Sequence, residues 1–182
     1  AAMRMNLPVT ATGHVMGDDQ LIVSRTDLKG RISHVNRDFM DISGFTEQEL
    51  LGAPHNVIRH PDMPPAVFKD MWDRIQSGRP WTGIVKNRCK NGDFYWVEAN
   101  VSSLREQGTV TGYISVRRKP TPEQIAEAEA LYARLRAGKP ARPFLHRILS
   151  RLGGIRVTRA LPLGLTAIVL FAGFALALSL MS

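Results

Sequence analysis

Four consecutive residues, Arg59-His60-Pro61-Asp62, place a cation, an imidazole and a carboxylate on one short loop of this 182-residue chain. Pro61, Pro64 and Pro65 stiffen that loop, because proline fixes φ and pushes the residue before it out of the helical region. Asp62 is placed to cap the helix that follows, whose first turn tolerates Pro64 and Pro65 since its N–H groups lack intrahelical partners. Val67, Phe68, Met71, Trp72 and Ile75 then fall on one apolar stripe of that helix. Polar groups on a rigid loop beside an aromatic-bearing helix make a wall for a flat, polar-edged ligand. The competing reading is structural, with Phe68 and Trp72 as core residues and the loop as a capped turn holding a local ion pair. No nucleophile–base pair or metal-ligand cluster is visible, so the sequence points to binding and not to an enzyme.

The elements around the loop follow from local signals. Gln20–Leu28 and Arg31–Asn36 read as strands joined by the turn Asp27-Leu28-Lys29-Gly30. A short helix over Asp38–Ser43 stops at Gly44, and Thr46 with Glu49 forms a capping box for a second helix ending at Gly52. The long helix after the loop ends near Ser77-Gly78. Strands Trp81–Lys90 and Asp93–Arg105 flank Asn91-Gly92, a pair suited to a type I′ hairpin turn, and a third strand spans Thr109–Arg118 after a turn at Glu106–Gly108. Thr121 and Pro122 open a last helix as cap and first helical residue, running to Gly138. The fold class expected is α+β, a five-stranded antiparallel sheet with short helices on one face, a ligand sitting between that face and the long helix.

Charge divides the chain unevenly. Of the formal net charge of +8, +6 lies in residues 137–160, which carry Lys139, Arg142, Arg147, Arg151, Arg156 and Arg159 with no acidic residue. Residues 1–136 are therefore close to neutral, and no aromatic interleaving or recognition module supports nucleic-acid binding. Leu161–Ser182 is uncharged and rich in Leu, Ala, Phe and Val, long enough at ~1.5 Å per residue to cross a hydrocarbon core of roughly 30 Å. The basic excess on its N-terminal side is drawn to anionic lipid and places the globular part in the cytoplasm. The expected organisation is a flexible arm over residues 1–19, a globular domain over 20–119, a signalling helix over 120–138, a basic juxtamembrane segment over 139–160 and a transmembrane helix over 161–182. No secretory signal is read in the first 20 residues. Cys89 is the one cysteine, so no intrachain disulfide is possible, and it reads as a passive strand residue in a reducing compartment.

The order of elements and their motifs resemble the PAS fold, and most closely the FAD-binding sensor domains of bacterial aerotaxis receptors. The resemblance covers Leu21–Leu135. It is carried by Asn36, Ser43-Gly44-Phe45-Thr46, Glu49-Leu50-Leu51-Gly52, Pro54-His55-Asn56, Arg59-His60-Pro61-Asp62-Met63-Pro64, Phe68 with Asp70-Met71-Trp72, Trp81-Thr82-Gly83-Ile84-Val85-Lys86-Asn87-Arg88, and Lys90-Asn91-Gly92-Asp93 with Tyr95-Trp96-Val97. The loop joined to the Trp81 strand is the specific part. By that resemblance Arg59, His60 and Asp62 belong to an FAD-binding loop, Trp72 lines the flavin cleft, and Asn36, Phe68 and Asn87 are secondary pocket residues.

The resemblance further implies a sensor of redox state, oxygen or energy in the bacterial inner membrane, its PAS domain facing the cytoplasm. It also implies a homodimer and an output to a chemotaxis signalling domain or kinase complex. Family members continue beyond the membrane anchor into a relay and a coiled-coil signalling domain, whereas this sequence stops at Ser182. The rival readings are a cofactor-free PAS dimerisation module and a haem-binding PAS gas sensor with His60 on the iron. A flavin–cysteine photoreceptor is disfavoured, because Cys89 lies on an expected strand and the helical region has no cysteine.

Overall fold

The computed structural model describes residues 6–138. In chain order these form β1 (Gly13–His14), β2 (Ile22–Thr26), β3 (Ile32–Val35), α1 (Arg37–Ser43), α2 (Glu47–Leu50), a 3-10 turn (His55–Ile58), α3 (Pro65–Gln76), β4 (Trp81–Arg88), β5 (Phe94–Glu106), β6 (Thr109–Arg118) and α4 (Pro122–Arg136). The juxtamembrane segment and transmembrane helix expected over residues 139–182 lie outside the described residues. Among the described residues no helix is long and apolar enough to cross a membrane.

Five strands pair antiparallel in the order β4-β5-β6-β2-β3. The sheet is nevertheless mixed and not purely antiparallel as expected, because β1 joins β5 in parallel through Gly13 with Phe94 and His14 with Tyr95. The arm expected to be flexible is thus laid on the sheet from Asn6 onward. Thr10 N–H donates to the Gly92 carbonyl (2.9 Å), Phe94 N–H donates to the Thr12 carbonyl (3.0 Å), and Met16 is buried in the core. A two-residue strand has no periodicity to read, and its partner lies far along the chain.

Alternation along the strands sets what faces inward. On β5 Tyr95, Val97, Ala99 and Val101 are buried in alternation, with Glu98 buried between them, and on β6 Tyr113, Ser115 and Arg117 are buried. Ile22 and Ser24 of β2 and Phe39 of α1 complete that layer. α4 meets β4, where the Tyr132 hydroxyl donates to the Ile84 carbonyl and its ring stacks on Trp96 at 6.4 Å. Thr121 and Gln124 form a capping box at its start, as Thr46 and Glu49 do for α2.

The turns depart from expectation in an informative way. At Asn91-Gly92 only Gly92 has positive φ (102°), and Gly92 N–H donates to the Cys89 carbonyl, so Lys90 and Asn91 are the central pair of a longer loop. Asp93 explains the choice: its N–H donates to Asn91 Oδ1 while its carboxylate accepts from Asn91 Nδ2, His14 Nε2 and the Thr10 hydroxyl. The tight two-residue hairpin occurs instead at Gln107-Gly108, both with positive φ (48° and 83°), between paired Glu106 and Thr109.

Candidate functional site

A cavity of about 170 Å³ lies between α3 and the inward face of the sheet, far more than the ~10–15 Å³ that one water needs. The interior is therefore not filled by its own side chains. Phe68, Met71, Trp72 and Ile75 of α3 form an apolar wall, while Val85, Ala99 and Val101 line the sheet side. Trp72 stands edge-on to Tyr113 with ring centroids 5.3 Å apart. Gly30 admits the indole: a Cβ there would meet it at 3.3 Å, on a backbone at φ 75° that side chains rarely adopt.

Of the residues singled out from sequence, Arg59, Phe68, Trp72 and Asn87 line this cavity. A backbone bridge ties Arg59 to Asn87, so the proline-stiffened loop runs beside the edge of β4. The Arg59 guanidinium lies 3.6 Å above the Phe68 ring centroid, and burial lowers its pKa.

Asn36, His60 and Asp62 are not among the cavity-lining residues. Asn36 is the N-cap of α1; its Oδ1 accepts from Phe39 N–H (3.3 Å) and Val23 N–H (2.9 Å), and Nδ2 donates to the Leu21 carbonyl (2.6 Å). His60 is only 3% exposed, its ring edge-on to Phe94 and its Nδ1 accepting from Asp62 N–H (3.1 Å). Burial first, then the charge of Lys86, lowers its pKa to about 4.

Asp62 does not cap α3. Two prolines carry the start of that helix to Pro65, with Pro64 in the cap position and no side-chain cap bond. The Asp62 carboxylate instead accepts from Lys86 Nζ (2.8 Å), and its carbonyl accepts from Arg136 Nη1 (2.6 Å). Burial opposes ionisation of Asp62, but the Lys86 hydrogen bond and charge outweigh it and its pKa falls.

The sequence reading missed the most unusual group in the cavity. Arg117, 3% exposed, donates through Nη2 to His55 Nε2 (2.5 Å) and to the Ser24 hydroxyl (2.8 Å), and all three residues line the cavity. His55 Nε2 is thus an acceptor and the ring is neutral; burial, then the Arg117 charge, pushes its pKa well below the ordinary value. Burial also lowers the Arg117 pKa to about 10. No carboxylate among the described residues forms an ion pair with it. Strand alternation carried the signal, since Arg117 shares the inward register of Tyr113 and Ser115.

Four buried polar atoms on lining residues have no hydrogen-bond partner: the donors Arg59 Nε, Arg117 Nη1 and Asn87 Nδ2, and the acceptor Asn56 Oδ1. Asn87 sits beside the buried Tyr95 hydroxyl, which is likewise without a closed hydrogen bond. Buried polar groups are normally paired, so this set marks the polar rim of a binding slot with apolar walls. Cys89 lies outside the cavity, its Sγ donating to the Ile42 carbonyl at 3.3 Å; burial, then Asp93, raises its pKa to about 11, which leaves it an inert thiol.

Residues 32–117 match the family described as the PAS fold. The chain carries a PAS domain. It is 46% identical over 155 residues to the aerotaxis receptor of Escherichia coli strain K12, an alignment covering 85% of this chain and 31% of that one. The chain therefore spans about a third of that relative's length. Among solved structures, the PAS domain superposes on a light-oxygen-voltage domain studied with a flavin analogue (TM-score 0.52, 21% identity, 65% of this chain and 87% of the other). It matches the dark state of the blue-light photoreceptor Aureochrome1 LOV at the same TM-score of 0.52, with 19% identity over 60% of this chain and 84% of the other. At such identities these likenesses speak for the fold alone. The PAS domain of this chain is closely related to that of the E. coli aerotaxis receptor.

Proposed function

We propose that the PAS domain binds FAD and reports the flavin's redox state, as the sensory part of a membrane-anchored receptor with a chemotaxis-type output. The observation that carries this reading is the slot itself, apolar on both walls and edged by buried donors and an acceptor with no protein partner. A flavin ring is flat and apolar on its faces, with carbonyls, ring nitrogens and one N–H on its edge. Arg59 Nε, Arg117 Nη1, Asn87 Nδ2 and Asn56 Oδ1 supply complementary donors and an acceptor, so the residues present fit the group. The relationship to an aerotaxis receptor supports the same choice.

When bound, flavin supplies reversible electron uptake. The chain's own residues do the rest. Trp72 and the α3 wall exclude water, while Phe68 holds the Arg59 guanidinium at the cavity. Arg117 is the group that feels charge. Two unit charges about 4 Å apart interact by about 4 kcal/mol at an effective dielectric of about 20. A gain or loss of negative charge inside this cavity therefore shifts how firmly Arg117 holds His55 and Ser24, and a few kcal/mol redistributes a two-state protein. α4, tied to the Asp62 carbonyl through Arg136, is the element through which we read the signal leaving the domain. Anchoring in the inner membrane, a cytoplasm-facing domain, homodimerisation and coupling to a chemotaxis kinase complex belong to the same proposal.

A haem reading finds less support. His60 does not line the cavity, and Nε2 of His55 already accepts from Arg117. The flavin reading is tested by comparing the full chain with its Trp72→Ala and Arg59→Ala variants after purification with excess FAD. Both variants are expected to retain less flavin while keeping the circular dichroism of the sheet. Equal occupancy in all three would refute the site assignment.

A further inference from the structure

The N-terminal arm reaches the cavity through one side chain. Asn6, 7% exposed, donates from Nδ2 to two backbone carbonyls at once, Asn56 (2.8 Å) and Arg59 (2.9 Å). Those carbonyls lie at either end of the turn 56–59, which closes on itself through Arg59 N–H to the Asn56 carbonyl (3.1 Å). The side chains of Asn56 and Arg59 line the cavity, and each carries one of its unpaired polar atoms. Beyond Asn6 the arm is pinned to the β4–β5 hairpin. The Pro8 carbonyl accepts from Arg88 Nε (2.7 Å), the Thr10 hydroxyl donates to Asp93 (2.5 Å), and Gly13 and His14 pair with β5.

A single amide thus spans the turn that carries two cavity groups, and its anchor is a segment outside the central sheet pairing. The geometry points to Asn6 as a positioning residue for the ligand, with the arm as a strap that holds the 56–59 turn closed and sets how long the ligand stays. The inference rests on the flavin reading for its ligand, but the strap itself does not. The two N–H groups of the Asn6 amide serve one carbonyl each, whereas an aspartate at the same place turns both contacts into oxygen–oxygen repulsion. Losing both hydrogen bonds corresponds to roughly ten- to thirtyfold in a rate or equilibrium constant.

The test uses the full chain in detergent micelles, as wild type, Asn6→Asp and Asn6→Gln, with FAD as the probe. FAD release is followed by fluorescence after dilution. Hydrogen exchange is followed at the amides of Val57 and Arg59, with β5 amides as the control for folding. Asn6→Asp is expected to release FAD about tenfold faster and to speed exchange at Val57 and Arg59, with β5 protection unchanged. Wild-type release from Asn6→Asp would overturn the inference. If that variant loses β5 protection, Asn6→Gln decides by the same readings, its longer side chain being unable to seat both bonds in the same geometry. If wild type takes up no FAD, the flavin reading fails on its own. Exchange at Val57 and Arg59 then decides the strap, faster in Asn6→Asp supporting it and unchanged overturning it.

Discussion

Arg117 and His55 meet at 2.5 Å inside the PAS domain, a buried cation donating to a neutral imidazole, with no carboxylate pairing the guanidinium among the described residues. Burying an unpaired charge is expensive, and even a buried ion pair can often be replaced by apolar groups of similar size with a neutral effect or a gain of about 1–4 kcal/mol. A domain that keeps such a group is expected to use it on a ligand. Arg117→Met should therefore act in opposite directions. The ligand-free chain should resist urea better, by about 1–3 kcal/mol, while its dissociation constant for FAD rises at least about tenfold. Loss of stability in the ligand-free variant would show that Arg117 serves the fold and not the cavity.

Two buried histidines make the fold sensitive to acid. The His60 pKa is lowered to about 4 by burial and then by Lys86, whereas the unfolded chain titrates near the ordinary histidine value of 6.5. Between those values the unfolded state binds more protons than the folded one, so stability is complete above pH ~6.5 and declines as pH falls. At about 1.4 kcal/mol per pKa unit the loss from His60 is on the order of 3 kcal/mol by pH ~4. His55 shifts in the same direction and adds the same sign. The depressed pKa of Asp62 acts only below the ordinary aspartate value of 3.8. Urea midpoints measured from pH 7 to 4 should fall, and His60→Asn, which keeps an acceptor near the Nδ1 position, should flatten part of that slope. Parallel profiles for the two proteins would contradict this.

What could be read from the sequence was what short range decides. The capping boxes of Thr46 with Glu49 and of Thr121 with Gln124 rest on residues three apart, and the α3 stripe and β-strand alternation on spacing alone. The N-cap role of Asn36 was open to the same reasoning, because asparagine just before a helix is a capping signal. The cavity was harder. Arg117 could be placed on the inward face by counting from Tyr113, but nothing local says that it meets His55 and Ser24 from other elements. The docking of the arm likewise depends on partners, Asn56, Arg59 and Asp93, that only the tertiary fold brings near.

Gly112 tests the sheet independently of any ligand. A Cβ at this position of β6 would lie 2.1 Å from the Thr26 carbonyl oxygen, a backbone atom of the neighbouring strand. Gly112→Ala must push β2 and β6 apart where both supply cavity residues. A loss of about 2–4 kcal/mol in urea unfolding is expected, typical of steric disruption within a core. An unfolding midpoint within error of wild type would mean that the two strands are not held at this spacing.

The central claim, that the slot between Trp72 and Arg117 holds a flavin, is tested most directly by one absorption spectrum. The full chain, extracted gently from membranes of cells grown with ample riboflavin, is scanned before and after dithionite. The account predicts structured flavin bands in the visible and near ultraviolet, bleached by the reductant and restored by air, at near one flavin per chain. A colourless protein that takes up no added FAD, or one showing the intense Soret band of haem, would contradict it.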